Sequence, residues 1–267
     1  MSEAADPTPS CLHVLGGCGA WPEPDRACSG FVLEHAGLRI VIDLGYGTLP
    51  RLLARLGSVV GDGIDAVIVT HQHPDHMVDL HGLFRARWFG RQEASPLPLY
   101  APRGVVDRVA SLEEDDREAV EHTFAWRPLP APPTRLGPFE LTSISVPHHV
   151  PTAAIRLAAP DLTVAYTADT GPDPALTSLG RRADLFIVEA STRDQQAGTP
   201  QAGGAVRMHL TDREAGEIAA AAETQQLLLT HFWPGNDREA SRRAAAARFA
   251  GPIHLADEGL TIPLGTA

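Results

Sequence analysis

The chain has 267 residues, of which 43% are hydrophobic, so it is long enough to bury one sizeable core. Its formal net charge of -11 and pI near 5.5 argue against a protein that grips a nucleic-acid backbone with a basic face. All of its basic residues are arginines, and the absence of lysine excludes P-loop phosphate binding and lysine Schiff-base chemistry. We therefore expect no stable nucleic-acid partner. Any anionic substrate must be attracted by positive charge at the binding site itself, because the chain as a whole is negative.

The cysteines and the N-terminal stretch predict a cytoplasmic protein. Cys11, Cys18 and Cys28 are an odd number at spacings that fit neither a disulfide framework nor a zinc ribbon, and a reducing compartment suits them best. The stretch MSEAADPTPS carries acid and proline where a signal peptide would carry basic and then apolar residues. No apolar run reaches membrane-spanning length, so we expect a soluble chain without a membrane partner.

The first half of the chain is predicted to form mainly short strands. Apolar runs bounded by Gly, Pro and Asp are typical of buried strands, and helical spacing of apolar residues marks the segments between them. The predicted strands are LHVLGG, SGFVLEHAG, LRIVIDLG, IDAVIVTH and PLPLYAP, and the predicted helices are TLPRLLARLG and MVDLHGLFRARWFG. The acidic stretch from Ser111 to Glu121 is interpreted as a solvated face, and the proline-rich RPLPAPPTRLGP as a surface loop.

The second half begins with strands and then alternates strand with helix. The predicted strands are FELTSISVPHH, AAIRLAAP, LTVAYTADTGP, DLFIVEAS, QLLLTHF and IHLADEGL, and the predicted helices are TDREAGEIAAAAE and NDREASRRAAAARFAG. Thr211 and Glu214 form a capping-box pattern, and Gly251 with Pro252 is predicted to end the last helix. Two strand-rich halves with helices and no linker predict an α+β fold of two packed sheets covered by helices, formed by residues 1–267 as a single domain.

Polar residues that can bind metals or transfer protons follow the ends of the apolar strands. They are Asp43, His71, His148, Asp169, Glu189 and His231. Strand ends collect at one edge of a sheet, so residues that are distant in sequence can converge there. One histidine beside an apolar run is usually a packing or rim residue, whereas the same position repeated at several strand ends, with aspartates interleaved, indicates a site.

The segment from His71 to His76 sets three histidines and an aspartate in the spacing H-x-H-x-D-H. If a strand turns into a helix here, His71 and His73 share one face, and the turn at Pro74 directs Asp75 and His76 to a neighbouring position. Two adjacent metal sites would result. Imidazole and carboxylate ligands without thiolates suit zinc, manganese or iron, so we expect two divalent cations, zinc being our first choice.

THQHPDH resembles the signature motif of the metallo-β-lactamase superfamily, and the later strand-end residues match that superfamily's later motifs in order. The resemblance covers nearly the whole chain and is closest to the ribonuclease Z-like branch. It is carried by HHVPTAAIRL, YTADTGP, FIVEAS, MHLTDREAGEIA and LLLTHFWP. The resemblance implies an αββα sandwich of two mixed β-sheets flanked by helices, and a homodimer.

Carried over onto this sequence, the resemblance implies a dinuclear centre. One metal would be bound by His71, His73 and His148, the other by Asp75, His76 and His231, and Asp169 would bridge them. Asp43 resembles the superfamily's supporting aspartate, which holds the site together without binding metal. His149 adjoins His148 and is the alternative third ligand, although the branch pattern His-x-Val-Pro-Thr favours His148.

Glu189 and His209 match a pair that the ribonuclease Z-like branch adds near the metals. A glutamate that ends a strand could instead cap a turn, and HLT could merely lead into a helix. The functional interpretation is that His209, oriented by Glu189, donates a proton to the leaving oxygen or steadies the scissile phosphate, while Asp75 also positions the nucleophile. Phe232 and Trp233 follow the last ligand candidate, where they pack beside it or stack on a base.

The distance in sequence between the third motif and the bridging aspartate bears on the substrate. Ribonuclease Z proper carries a long flexible arm there to hold tRNA, whereas residues 149–168 have room for two strands and a turn only. The chain resembles actinobacterial members of the branch associated with cyclic-nucleotide breakdown, so we expect a metal-dependent phosphodiesterase acting on small phosphodiesters or nucleotides. The alternatives are a ribonuclease Z-like RNA endonuclease, and an ester, thioester or lactone hydrolase that uses the same site.

Overall fold

The computed structural model describes residues 9–90, 95–113, 117–191 and 207–265. Within these ranges the strands are β1 (Cys11–Gly16), β2 (Gly30–His35), β3 (Leu38–Leu44), β4 (Ala66–Ile68), β5 (Leu97–Ala101), β6 (Phe124–Pro128), β7 (Thr134–Leu136), β8 (Phe139–Ser145), β9 (Ala153–Ala158), β10 (Thr163–Tyr166), β11 (Leu185–Glu189), β12 (Gln226–Thr230), β13 (Ile253–Leu255) and β14 (Thr261–Pro263). The helices are α1 (Thr48–Leu56), α2 (Pro74–Gly90), α3 (Arg103–Ser111), α4 (Arg117–Thr123), α5 (Ala175–Leu179), α6 (Asp212–Ala221) and α7 (Arg238–Ala246). The N-terminal stretch that we interpreted lies, apart from its last two residues, outside the described residues, as do residues 114–116 of the acidic stretch.

The strands form two seven-stranded sheets. The first has the order β14-β1-β2-β3-β4-β5-β6 and the second the order β13-β12-β11-β10-β9-β8-β7. Each sheet is mixed: β3 to β6 and β10 to β13 pair in parallel, and the remaining neighbours pair antiparallel. The parallel strands matter for the site, because their carboxyl ends all lie at one edge of their sheet.

Apolar side chains fill three layers between these elements. Phe31 and Ile40 of the first sheet meet Phe139 and Ile155 of the second in a core between the sheets. A second core lies between the first sheet and helices α1 to α4, and a third between the second sheet and helices α5 to α7. This is the αββα order that the resemblance implies, and the fold prediction is confirmed. Among the helices in the described ranges, none has both the length and the apolarity needed to cross a bilayer.

The region between β5 and β8 differs from the sequence interpretation. We did not predict α3, and α4 begins inside the stretch that we interpreted as a solvated face. Val105, Val109 and Val120 of these helices are buried in the core beneath the first sheet, while their outer faces carry the charges that dominated the sequence pattern. The proline-rich segment is only partly a loop, because Thr134–Leu136 pairs with β8 in a hairpin.

Several predicted elements end earlier than expected, and the physical reason is visible for two of them. The last helix ends at Ala246 rather than at Gly251, because Phe249 leaves the helical path and buries its ring against the Gly251 backbone. Strand β4 stops at Ile68, although the apolar run continues through Val69. Two residues beyond the strand, the Thr70 N–H donates to the Asp43 carboxylate at 2.8 Å instead of to a neighbouring strand. This bond turns the chain toward the functional residues.

The capping box of α6 is confirmed and gives a stability prediction. The Thr211 hydroxyl accepts from the Glu214 N–H at 3.1 Å, and the Glu214 carboxylate accepts from the Thr211 N–H at 2.9 Å. Replacing an N-cap threonine by alanine leaves helix N–H groups unpaired, so Thr211→Ala should lower the free energy of unfolding by about 1 kcal/mol. Urea unfolding measures it, with Thr134→Ala, the same change at an exposed position of β7, as control. Equal effects of the two substitutions would contradict the capping role.

Candidate metal centre

The functional residues predicted from strand ends converge where the two sheets meet. Asp43 lies near the end of β3, and the chain after β4 carries the H-x-H-x-D-H segment. From the second sheet, Asp169 follows β10, Glu189 ends β11 and His231 follows β12. The Ala153 N–H at the start of β9 donates to the Thr70 carbonyl at 3.0 Å, which ties the two sheets together at this edge.

Three histidines form the first cluster. The Nδ1 atom of His73 lies 3.1 Å from the Nε2 atom of His71 and 3.1 Å from the Nε2 atom of His148. The Asp169 Oδ2 atom completes the cluster at 3.7 Å from both of these Nε2 atoms. His149, the alternative that the sequence left open, is exposed and stands outside the cluster. Imidazole nitrogens and a carboxylate oxygen at these separations suit a single tetrahedral cation such as zinc.

The second cluster joins the start of α2 to the end of β12. The Nε2 atom of His231 lies 3.1 Å from the Asp75 Oδ2 atom and 3.1 Å from the Asp169 Oδ2 atom. His76 completes it, with its Nε2 atom 3.3 Å from the Asp169 Oδ1 atom and 3.6 Å from the Asp75 Oδ2 atom. Asp169 therefore contacts both clusters, which is the position expected of a bridging ligand.

Hydrogen bonds outside the first cluster fix the direction of its lone pairs. The Thr70 hydroxyl donates to the Asp43 carboxylate at 3.0 Å, so it can accept from His71 Nδ1–H at 3.1 Å. His148 Nδ1–H donates to the Met208 carbonyl at 3.2 Å. In a neutral imidazole only one nitrogen carries a proton, so the Nε2 lone pairs of both rings point into the cluster, as metal binding requires.

The second cluster is oriented in the same way. His76 Nδ1–H donates to the Asp43 Oδ2 atom at 2.8 Å. The Ser191 hydroxyl donates to the Glu189 carboxylate and accepts from His231 Nδ1–H at 2.6 Å. Both Nε2 atoms therefore face the two aspartates. The structure places Asp43 where we expected a supporting residue, since its carboxylate holds His76 and the Thr70 segment and touches neither cluster's centre.

Two buried atoms in the clusters have no hydrogen-bond partner among the described residues. They are His76 Nε2 and Asp169 Oδ1, which face each other at 3.3 Å without forming a hydrogen bond, and buried polar atoms without one are rare in a protein interior. A divalent cation would satisfy both. The donor set and these two atoms therefore fit metal ions, and the ligands available are those that zinc, manganese and iron accept.

The electrostatics of the two clusters differ. Burial lowers the pKa of His71 well below its ordinary value and that of His148 to about 4, so these rings are neutral, which is the form that binds metals. Burial alone would also lower the pKa of His231, but the carboxylates of Asp169 and Asp75 raise it to about 10. A proton on the His231 ring thus balances the negative charge of the carboxylates in the second cluster, and a cation bound there would displace this proton.

The backbone is in the left-handed region at two of these positions. Asp43 has φ 57° and His231 has φ 59°, a conformation that costs about 1 to 3 kcal/mol for residues other than glycine. Both lie at the carboxyl end of a strand that would otherwise continue in extended form. The turn of the backbone directs the carboxylate of Asp43 and the ring of His231 toward the shared edge, so the strained conformation serves to place one supporting residue and one ligand candidate.

A carboxylate–imidazole pair lies beside the clusters. His209 Nδ1 is 3.1 Å and 3.2 Å from the two oxygens of Glu189, which is fully buried at the end of β11. The ring of His209 is stacked on that of His231, with centroids 5.5 Å apart and an interplanar angle of 11°. Burial would lower the pKa of His209, but the Glu189 carboxylate raises it above its ordinary value. The pair that the sequence suggested is therefore formed, and it adjoins the second cluster.

Two connecting residues were missed in the sequence. Thr70 links Asp43 to His71, and Ser191 joins Glu189 to His231 while lying 3.3 Å from His209 Nδ1. Both hydroxyls stand inside motifs that carried the resemblance, directly beside predicted site residues. That adjacency was the available signal. A single hydroxyl residue has too many ordinary structural roles to be selected without coordinates.

The supporting role of Asp43 gives a prediction about metal affinity. In Asp43→Asn the side-chain amide can still accept from Thr70, but its NH₂ group faces the N–H of His76, so this ring loses its orienting acceptor. Loss of such an outer partner typically weakens metal binding about 10- to 100-fold. Competition with a chelator measures the change. Asp65→Asn is the control, because Asp65 is exposed, lies just before β4 and accepts from the Arg39 N–H of β3, so this change should leave the affinity unaltered. Equal affinities in both variants would refute the assignment.

Comparison with known proteins agrees with this architecture. A family model described as the β-lactamase superfamily domain matches residues 38–232. The probable metallo-hydrolase YhfI of Bacillus subtilis is 30% identical over 252 residues, which cover 93% of this chain and 97% of that protein. A ribonuclease Z of Kineococcus radiotolerans is 28% identical, with 96% of each chain covered. The crystal structure of YhfI, a metallo-β-lactamase fold protein, aligns with a TM-score of 0.81 at 28% identity over 96% of this chain and 99% of that chain.

The αββα fold with two His/Asp clusters at its edge, together with these relatives, defines a metal-dependent hydrolase. The residues present fit the cations that such an enzyme uses. The chain belongs to the metallo-β-lactamase superfamily, and its relatives confirm the similarity to the ribonuclease Z-like branch.

Proposed function

We propose that the protein is a phosphodiesterase with two divalent cations, most suitably zinc, that hydrolyses small phosphodiesters such as cyclic nucleotides. The observation that carries the proposal is the Glu189–His209 pair, held against His231 at the edge of the second cluster. When a phosphodiester is hydrolysed, one of its alcohols leaves as an alkoxide, which is a poor leaving group unless it receives a proton. An imidazole with a buried carboxylate on one nitrogen is the group that protein sites commonly use for this task.

The residues would divide the work as follows. His71, His73 and His148 would hold one cation and Asp75, His76 and His231 the other, with Asp169 shared; together the ions would supply an activated water and bind the phosphate oxygens. The Asp75 carboxylate, fixed by the Ala20 N–H at 2.7 Å, would position the nucleophile. His209 would deliver a proton to the leaving oxygen, since Glu189 fixes its ring orientation and favours its protonated state.

The connection between His148 and Asp169 favours a small substrate. Strands β9 and β10 follow each other directly, and the Ala159 N–H donates to the Leu162 carbonyl at 2.7 Å to close a tight turn. The segment therefore consists of two paired strands and a turn, as we predicted, and includes no arm that could hold a folded RNA. The net charge of -11 points the same way, because it disfavours binding along a nucleic-acid backbone.

Two other activities are compatible with the clusters. The name of the Kineococcus relative supports an RNA endonuclease as second candidate, and the short β9–β10 turn argues against it. Hydrolysis of an ester, thioester or lactone would use the same cations but has less need of a proton donor. A thiolate is a better leaving group than an alkoxide, and in all three cases the leaving group departs only after the nucleophile has added to the carbonyl carbon. The Glu189–His209 pair is the feature that separates these cases.

The test compares substrates on one metal-loaded preparation. Cyclic AMP, bis-p-nitrophenyl phosphate, p-nitrophenyl acetate and a precursor tRNA are offered in parallel, and kcat/KM is measured for each. We expect hydrolysis of both phosphodiesters and little turnover of the tRNA. Hydrolysis of the acetate alone would overturn the proposal, and preferred cleavage of the tRNA would establish the ribonuclease instead.

A further inference from the structure

Two tryptophans stand exposed next to the metal centre. The side chains of Trp21 and Trp233 are 50% and 42% exposed, whereas indole rings are normally buried for most of their area. Their ring centroids are 5.9 Å apart with an interplanar angle of 72°, so they support each other edge to face. We call this pair the aromatic wall.

Backbone hydrogen bonds fix the aromatic wall to the site. The Gly19 N–H donates to the Phe232 carbonyl and the Phe232 N–H donates to the Gly17 carbonyl, both at 2.9 Å, so the segments that carry the two tryptophans are paired. A Cβ atom on Gly19 would lie 2.6 Å from the His231 ring, which shows how closely this loop covers a ligand candidate. The aromatic wall is therefore preorganised rather than carried on a free loop.

The aromatic wall lies on the side of the site from which the proton is proposed to come. The Trp233 ring centroid is 6.5 Å from that of His209, with the two rings nearly perpendicular. In a 3′,5′-cyclic nucleotide both ester oxygens belong to the ribose, so the leaving oxygen stays attached to the nucleoside. Its base must therefore lie on the His209 side of the phosphate, where an exposed indole face is available for stacking.

Two arginines near the aromatic wall, both within the described ranges, are already paired with carboxylates. Arg26, on the same loop as Trp21, pairs with Asp257, and Arg207, beside the segment of His209, forms a two-pronged ion pair with Glu214. Among the residues that the structure describes beside the aromatic wall, the groups available to recognise the organic part of a substrate are thus aromatic rings rather than free cations. Stacking on an aromatic ring tolerates any base, because every base presents a π face.

We propose that the aromatic wall binds the base of a nucleotide phosphodiester and makes the enzyme select base-bearing over base-free substrates. The inference rests on the proposed phosphodiesterase function and adds the substrate class. Loss of one base–aromatic contact typically weakens binding on the order of 10- to 100-fold. Trp233→Ala should therefore lower kcat/KM for cyclic AMP by about this factor, chiefly through KM. It should leave hydrolysis of methyl riboside 3′,5′-cyclic phosphate, which lacks a base, unaltered.

Two further variants make the test specific. Trp233→Phe keeps a stacking face and should restore most of the activity on cyclic AMP, whereas Trp233→Leu keeps apolar area without a ring and should not. Trp88→Ala is the matched control, because Trp88 is also exposed but lies about 18 Å along α2 from His76. Equal losses on both substrates in Trp233→Ala, or no loss on either, would overturn the proposal.

Two measurements distinguish base stacking from a subunit contact and from a failure of the proposed function. If sedimentation shows that Trp21→Ala and Trp233→Ala split a dimer and reduce both activities together, the aromatic wall is a subunit contact and the proposal fails. If the wild-type protein hydrolyses no phosphodiester, the proposed function fails. Tryptophan fluorescence still tests the aromatic wall in that case: quenching by adenosine 5′-monophosphate but not by ribose 5-phosphate supports base stacking, and equal responses contradict it.

Discussion

Replacing Asp169 by asparagine is expected to remove most of the bound metal and to lower kcat/KM by at least about 10³-fold. Asp169 is buried, and its carboxylate is within 3.7 Å of ligand atoms from both clusters. Together with Asp75 it supplies the negative charge that offsets two cations. The asparagine amide has nearly the same shape as the carboxylate but no charge. The repulsion between two bound cations would then be less compensated, and at this buried position water does not screen it.

Metal analysis and steady-state kinetics on the same preparation test this expectation. Asp161→Asn is the matched control, because Asp161 lies on the β9–β10 turn with its side chain 76% exposed. Circular dichroism should show that both variants are folded. An Asp169→Asn protein with full metal content and full activity would show that the two clusters do not form a shared centre, and the proposed hydrolase mechanism would fall with it.

Removing the His209 imidazole is expected to slow the reaction without removing metal. His209→Ala should lower kcat for cyclic AMP by about 10²- to 10⁴-fold, the usual contribution of a positioned proton donor. Metal content should stay at the wild-type level, because neither of the two clusters described above includes His209, whose Nδ1 atom bonds to Glu189. Glu189→Gln should show a smaller loss of the same kind, since the imidazole remains but its partner is neutral.

The leaving group decides whether His209 acts as an acid. A p-nitrophenolate departs without help from a proton, so His209→Ala should affect bis-p-nitrophenyl phosphate much less than cyclic AMP. His149→Ala is the control, because His149 is an exposed neighbour whose ring centroid is 6.4 Å from that of His209. Equal losses on both phosphodiesters would assign His209 to substrate binding. Unchanged turnover of cyclic AMP would remove it from the mechanism.

Much of the site could be predicted because its ligands occur in regular positions of the sequence. The H-x-H-x-D-H segment holds four ligand candidates together, and Asp169 and His231 each follow an apolar strand, so the pattern indicates a metal centre without coordinates. The choice between His148 and His149 depended on resemblance alone. Their adjacency gives both the same local sequence, and only the chain path after β8 puts His148 in the cluster and leaves His149 exposed.

The order of residues along the chain was enough to show which polar groups follow which apolar strands, and that cations suit these imidazoles and carboxylates. It was also enough to predict the two-sheet sandwich, since apolar periodicity records which faces must be buried. The single domain, the homodimer and the cytoplasmic location stay predictions.

Contacts between distant segments settled the remaining features of the site. The orientation of imidazole lone pairs by Thr70 and Ser191, the left-handed turn at His231 and the pairing of Trp21 with Trp233 have no local signature. Helices α3 and α4 were not predicted for a related reason. Charged residues on their outer faces dominate the sequence pattern, whereas only a few valines pack their inner faces against the core. Burial and hydrogen-bond direction are properties of neighbours in space, and the sequence reports only neighbours along the chain.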